Sequence, residues 1–329
     1  MSISKMVVVA DNKKENMAGV LAAVEKEISK IIVGQKQTIH GILRAVLCDG
    51  HVLVEGVPGT AKTLIIKAMA TILGCEMKRI QFTVDLLPTD ITGIMSYTPE
   101  KGFEIVKGPI FSNFVLADEI NRSPPKTQSA LLEAMQEKMV TIARDTHKLP
   151  LPFFVMATEN PLETSGVYTL PEAQVDRFLF KLLIGYPEEK EEQSILNTNT
   201  TTRKFESYDL KSILNPQKIA KLQSQVKTVF TSEAIEEYIV KIVRESRSKE
   251  GEFGKYISFG GSPRASIALY IASKAEALMQ GRDYVIPEDV RTVVYPVLRH
   301  RVILNYEAEA DGVTTEVVIK DIIGKLNVP

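Results

Sequence analysis

Residues 53–64 read LVEGVPGTAKTL. The run almost matches the phosphate-loop pattern GxxxxGK[ST], with Ala61 standing where the pattern has its second glycine. It follows an apolar segment, HVLVEG, that reads as a buried strand, and it opens an amphipathic segment over 62–73 that reads as a helix. In that setting loop N–H groups converge on phosphates and the helix N-terminus adds a favourable dipole. Gly56, Val57, Pro58, Gly59, Thr60 and Ala61 would form the cradle. Lys62 would reach the β and γ phosphates, and the Thr63 hydroxyl would bind magnesium. Glycine is compulsory only where φ is positive or no room exists for a Cβ, so the alanine is expected to have helical φ. Gly56 and Gly59 keep the positions that need that freedom.

A second acidic element supports the first. NFVLADE (113–119) is an apolar run ending in Asp118-Glu119, and its place in the chain suits a strand beside that of the loop. There Asp118 would hold the magnesium ion and Glu119 would orient the attacking water. A strand followed by an acidic turn is common; its coincidence with the loop is what gives it weight.

The organisation outward from this pair is α/β and then α. Helical spacing covers 12–30 and 36–49, and further strands are expected at KRIQF (78–82), PFFVMAT (152–158) and RFLFKLLIGY (177–186). With HVLVEG and NFVLADE these make a five-stranded, mostly parallel sheet. IMSYT and FEIVKG flank the turn PEKG and read as a β-hairpin near 95–107, inserted into a helix. The core domain is expected to span 1–186, a charged and Thr/Asn-rich connection 187–212, and a small helical domain 213–329. The second domain has helices at 216–229, 232–248, 263–280 and 287–299, with TTEVVI near the end as an edge strand.

Composition excludes several classes. Forty Lys+Arg against 41 Asp+Glu give a net charge of −1, so no global basic field exists for a nucleic-acid backbone. Two cysteines, Cys48 and Cys75, and four scattered histidines show neither a disulfide framework nor zinc-ligand spacing. The longest apolar run near the start, five residues, is too short for a signal segment or a membrane span, and the expected location is the cytoplasm.

GVPGTAKT, QFTVDLLPTDITG, LADEINRSPPKTQSALLEAMQE, MATENP, LPEAQVDRF and GGSPRA follow one another in an order and spacing that resembles the AAA+ ATPases, and among them the MoxR family. In that family alanine is common before the loop lysine. The resemblance implies an α/β AAA+ P-loop core with a five-stranded parallel sheet and a helical lid. It also implies ATP and Mg2+ as ligands, and a homo-oligomeric, usually hexameric, ring. It assigns Asn160 as sensor 1, Arg177 as an arginine finger entering the adjacent subunit, and Arg264 as sensor 2, reaching back across the domain boundary to the γ phosphate. Val33 and Gly34 would line the adenine pocket, and Arg122 is runner-up to Arg177. An arginine finger supplies about 10³ to 10⁵ in rate. The implied function is ATP-driven, chaperone-like remodelling or maturation of other complexes, together with a protein carrying a von Willebrand factor A domain. A nucleic-acid motor or loader and a nucleotide-gated scaffold without turnover are the alternatives.

Overall fold

The computed structural model describes residues 17–100, 102–161, 166–198 and 204–329. The apolar run near the N-terminus and the start of the helix expected from residue 12 lie outside them. Helices α1 (Met17–Ile28) and α2 (Lys36–Leu47) lead to strand β1 (Val52–Gly56), and α3 (Lys62–Ile72) carries the chain to β2 (Met77–Gln81). One-turn α4 (Pro88–Thr92) precedes a hairpin of β3 (Gly93–Thr98) and β4 (Gly102–Lys107), then β5 (Phe114–Asp118). Next come α5 (Pro125–Glu137), a second hairpin of β6 (Met139–Ile142) and β7 (Asp145–Lys148), then β8 (Phe154–Glu159), α6 (Glu172–Val175) and β9 (Phe180–Ile184). α7 (Glu189–Thr198) lies in the connection. The helical part comprises α8 (Pro216–Thr228), α9 (Glu233–Glu245), β10 (Ile257–Phe259), α10 (Pro263–Met279), α11 (Pro287–Leu298), β11 (Ile303–Leu304), α12 (Tyr306–Ala310) and α13 (Thr315–Lys325).

The five expected core strands form one parallel sheet in the order β2-β5-β8-β1-β9, so the acidic strand β5 is not beside the loop's strand β1, as expected, but separated from it by β8. Parallel strands covered on both faces read as unbroken apolar runs, and β5 is buried at every position. Val52, Val54, Leu116 and Met156 point to one face, where they join α1–α3 and continue without a break into Leu222, Ile239, Leu269, Val293 and Ile319 of the helical part. Leu53, Val115 and Val155 point to the other and pack on Leu131, Leu132, Phe82, Ile91 and Phe178. Each such side chain contributes about 1.5–3 kcal/mol by leaving water. The small residues Ala265, Ala268, Ala272 and Ala275 let α10 sit close among its neighbours.

Two expectations about the elements are corrected, and one further element appears. TTEVVI is not an edge strand but the start of α13: Thr314 caps it by accepting from the Val317 N–H, and Val318, Ile319 and Ile322 form its buried stripe. The alternation of a short segment was outweighed by helical spacing just beyond it. The first hairpin is present, its turn residue 101 outside the described residues, but it is not inserted into a helix. It follows the single turn of α4, and the chain then passes through turns into β5. The second hairpin was not foreseen, because its connection turns at Ala143 with φ 56° and carries no Asn-Gly or Asp-Gly signal.

Parallel strands put like ends on one edge. The carboxyl ends of β1, β5 and β8 therefore deliver the glycine loop, Asp118-Glu119 and Asn160 to the same edge of the sheet, while residues just before β9 lie at the opposite edge.

Candidate nucleotide-binding and hydrolysis site

The loop between β1 and α3 is residues 57–61. Ala61 has φ 61° and ψ 21°, so the expectation of helical φ is wrong. It is the N-cap of α3 in the left-handed region, and a non-glycine residue there costs about 1–2 kcal/mol. Strain of this kind persists where the surroundings over-determine the backbone, often at ligand clamps. Gly59 has φ 84°, and a Cβ on Gly56 would lie 2.6 Å from the Ile184 carbonyl oxygen, so both retained glycines are needed where they stand. Ala61 supplies no side-chain cap, which leaves the first-turn N–H groups of α3 directed at the loop's hollow. Inside the loop the buried Thr60 hydroxyl donates to Val57 O at 2.9 Å, and Lys62 Nζ donates to Gly56 O at 2.6 Å. Thr63 is exposed on the first turn.

The two acids are set by register. Ala117 lies opposite Ala157 across the β5/β8 ladder, so Asp118 and Thr158 stand side by side. The Thr158 hydroxyl donates to Asp118 Oδ1 at 2.7 Å and accepts the Glu119 N–H at 2.9 Å. Arg79 on β2 donates to Asp118 Oδ2 from Nε at 3.1 Å and from Nη2 at 2.7 Å. Gln81 Nε2 donates to Glu119 Oε2 at 2.8 Å, and Arg122 Nη1 to the same oxygen at 3.1 Å. Glu119 is itself left-handed, with φ 57° and ψ 52°. Asn160, buried, follows β8 at the same edge. Beside it, burial holds the Glu159 carboxyl above the usual carboxylate range, with Lys181 offsetting and Glu55 adding to the effect. Lys181 Nζ stands 2.5 Å from a Glu55 carboxylate oxygen.

Val33 and Gly34 are tied to the end of β9, the strand beside the loop's own. The adjacent Gln35 donates to Gly185 O at 3.3 Å, and Gly185 follows Ile184, the β9 partner of Gly56.

Arg177 and Arg264 lie elsewhere. The Leu179 N–H donates to His51 O at 2.8 Å, which places the residues before β9 at the amino end of β1. Gly56 is five residues from His51 along an extended strand, about 16 Å at 3.3 Å per residue. Buried Arg301 fastens the lid to this end: its Nε donates to Asp176 Oδ1 at 2.7 Å, and Nη2 to Phe178 O at 2.7 Å. Ser262 donates to Asp176 Oδ2 at 3.1 Å, and Arg264 Nη1 lies 3.8 Å from that oxygen. Arg264 is thus on the same side as the exposed Arg177, and the expectation that it reaches back to its own chain's phosphate is corrected. The lid docks on α2 and the start of β9, through Gln223 to Val46 O at 2.7 Å and Arg299 to Lys181 O at 2.8 Å, so its arginine is carried to the edge opposite the loop.

The structure therefore gathers residues 56–63, Asp118, Glu119 and Asn160 at one edge, holds Gln35, next to Val33 and Gly34, on the end of β9 beside the loop's strand, and separates Arg177 and Arg264 from them. Sequence reading missed Thr158, Arg79 and Gln81, whose place depends on strand register, and Asp176 and Arg301, whose pairing depends on how the lid docks.

A parallel sheet with a phosphate-type loop, paired acids on the next strand but one and a docked helical lid defines a AAA+ ATPase. The ATPase family associated with various cellular activities matches residues 51–180, and an AAA lid domain matches 253–322. Chaperone MoxR1 of Mycobacterium tuberculosis is 44% identical over 323 residues, covering 96% of this chain and 85% of that protein. The uncharacterized protein YeaC of Bacillus subtilis is 44% identical over 317 residues, covering 96% and 97%. A crystal structure from Cytophaga hutchinsonii, provisionally assigned as an ATPase, superposes with a TM-score of 0.87 at 44% identity, covering 95% of this chain and 96% of that one. The chain belongs to the MoxR family of AAA+ ATPases.

Proposed function

We propose that the protein binds and hydrolyses ATP with Mg2+ and uses the cycle for chaperone-like remodelling or maturation of partner protein complexes. The observation that carries this is the meeting, at one sheet edge, of the strained loop and uncapped helix N-terminus with two acids whose carboxylates are held by Thr158, Arg79 and Gln81. The donor set suits the metal: a magnesium ion keeps several waters and takes one or two protein oxygens with phosphates. Thr63 and Asp118 would hold it, and bound there it neutralises charge on the β and γ phosphates. The backbone of residues 56–61 and Lys62 bind the phosphates, Val33 and Gly34 face the base, and Glu119 takes the proton of a water that Asn160 helps to position.

Arg177 completes the site from a neighbouring protomer, because its own loop lies at the far end of the strands; Arg264, on the same side, does the same. A hexameric homo-oligomer follows as the working form, in the cytoplasm, with ordered subunit contacts at the Arg177 face. Core through 186, connection 187–212 and lid from 213 are its parts. The exposed Ile94, Met95, Tyr97, Phe103 and Val106 of the first hairpin support contact with a client protein, and a von Willebrand factor A domain protein is the proposed partner. Among the described residues no helix is long and apolar enough to cross a membrane. The test is a pair of variants: Lys62→Ala is expected to lose ATP binding, and Glu119→Gln to bind ATP without turning it over. Retained affinity in the first, or near-normal turnover in the second, rejects the assignment.

A further inference from the structure

Asp118 is embedded in a polar chain in which Arg79 and Gln81 hold the acids but have no role of their own in the reaction described above. Its Oδ1 accepts from Thr158, and its Oδ2 accepts two N–H bonds from Arg79. The same Arg79 Nη2 donates to Gln81, and Gln81 donates to Glu119 Oε2. One arginine thus holds one acid directly and the other through a single side chain. Asp118's side chain is 13% exposed and Arg79's 50%. Arg79 belongs to β2, the edge strand of the sheet, where a long stem can turn outward without disturbing the core.

The geometry points to Arg79 as a counter-cation that competes with Mg2+ for Asp118, so that this residue sets the magnesium dependence of nucleotide binding. The inference rests on the ATP-binding reading above. An oxygen that accepts two guanidinium N–H bonds has both lone-pair directions engaged, and a full positive charge at 2.7 Å disfavours a divalent cation on the same carboxylate. Oδ1, which accepts from Thr158, keeps one lone-pair direction open, so coordination of the metal by Asp118, directly or through its water shell, is opposed as long as Arg79 stays on Oδ2 and is strengthened when it leaves. Its departure also releases the Gln81 carboxamide oxygen, so the restraint on Glu119 loosens in the same event. Arg79 is a positioning residue in this scheme. It differs from Lys62, whose charge adds to that of the metal on the phosphates.

The test uses the full chain and a fluorescent ATP analogue titrated over a series of free Mg2+ concentrations buffered with EDTA. The quantity read is the free Mg2+ that gives half of the full tightening of nucleotide binding. Removing one partly exposed charge-assisted pair is expected to lower it about threefold to tenfold in Arg79→Met. Affinity in EDTA should stay within about twofold of the parent, and Arg79→Lys should fall between the two. In an Asp118→Asn background, Arg79→Met should leave the magnesium dependence unchanged. Mn2+ in place of Mg2+, followed by electron paramagnetic resonance, reads the same shift at the metal. An unchanged or increased Mg2+ requirement in Arg79→Met overturns the competition. So does a large loss of affinity in EDTA, which would place the arginine on the phosphates. Failure of the parent chain to bind the analogue at any Mg2+ concentration rejects the ATP-binding reading, and the competition with it.

Discussion

Ala61→Gly is expected to stabilise the protein, although replacing alanine by glycine at a position with helical φ ordinarily does the opposite. Ala61 sits at φ 61° and ψ 21°, where a Cβ costs about 1–2 kcal/mol that glycine does not incur. Against this, the glycine chain is more flexible when unfolded, which takes back about 0.4–1 kcal/mol. The net is a gain of about 0–1.6 kcal/mol, centred near 0.8. Urea unfolding followed by circular dichroism reads it as a higher midpoint at an unchanged slope, with Leu64→Ala, half-buried on α3, as a destabilising reference. Were Ala61 in helical φ, the same change would cost about 0.5–1 kcal/mol. The two backbone conformations thus predict opposite signs. A lower midpoint for Ala61→Gly at constant slope refutes the left-handed assignment and the strain argument built on it.

The remaining predictions concern the far edge of the sheet and the buried histidine. Arg177→Ala and Glu119→Gln rings, each inactive alone, should regain part of their ATPase activity when their subunits are mixed; confirmed subunit exchange without recovery refutes completion by a neighbour. Asp176→Asn leaves the buried Arg301 guanidinium without its anion, a change that costs about 3–5 kcal/mol for buried pairs, and a calorimetric scan should show it as a lower melting temperature. No change in melting would show that Asp176 does not fasten the lid. Burial lowers the His51 imidazole to about 4, and its Nε2–H donates to Met135 O while Nδ1 accepts the Val155 N–H. From about 6.5, the ordinary value, down to that point the unfolded chain binds a proton that the folded chain does not, so stability falls as pH falls, by about 1.4 kcal/mol per pH unit. The contribution is intact above about pH 6.5. His300 shifts in the same direction, so His51→Gln should flatten the slope of stability against pH by about one proton and leave the rest; an unaltered slope refutes the buried neutral state.

The parallel sheet was legible because β1, β5 and β8 are short apolar runs ending in residues with chemistry, and that pattern survives in one dimension. What lies at the strand ends followed from it: the glycine loop, Asp118 and Asn160 share an edge because parallel strands must put them there. The polar chain from Thr158 to Glu119 was not legible, since it depends on Ala117 facing Ala157 and on Arg79 sharing the Asp118 face of the sheet. Ala61 shows a different limit. Its identity was read as evidence about its backbone angle, but a loop anchored by Gly56 against Ile184 and by Lys62 on Gly56 O imposes the angle on whatever residue is there. Arg264 failed for a third reason: the direction of a lid is set by contacts such as Arg301 with Phe178 O, made between segments far apart in the chain.

On the proposed mechanism, the placement of loop and arginines at opposite ends of the sheet gives each protomer a donor end and an acceptor end. A head-to-tail assembly of n copies then has n complete sites only if it closes; an open arc has n − 1, with one acceptor at its terminus unserved. On the proposed mechanism, turnover per protomer is therefore zero for a monomer and half-maximal for a dimer, and it then climbs as (n − 1)/n, in ever smaller steps, to its full value on closure. Specific activity measured against protein concentration becomes a count of closed contacts, and a partner that caps the exposed Arg177 face silences the next protomer's site without touching the nucleotide.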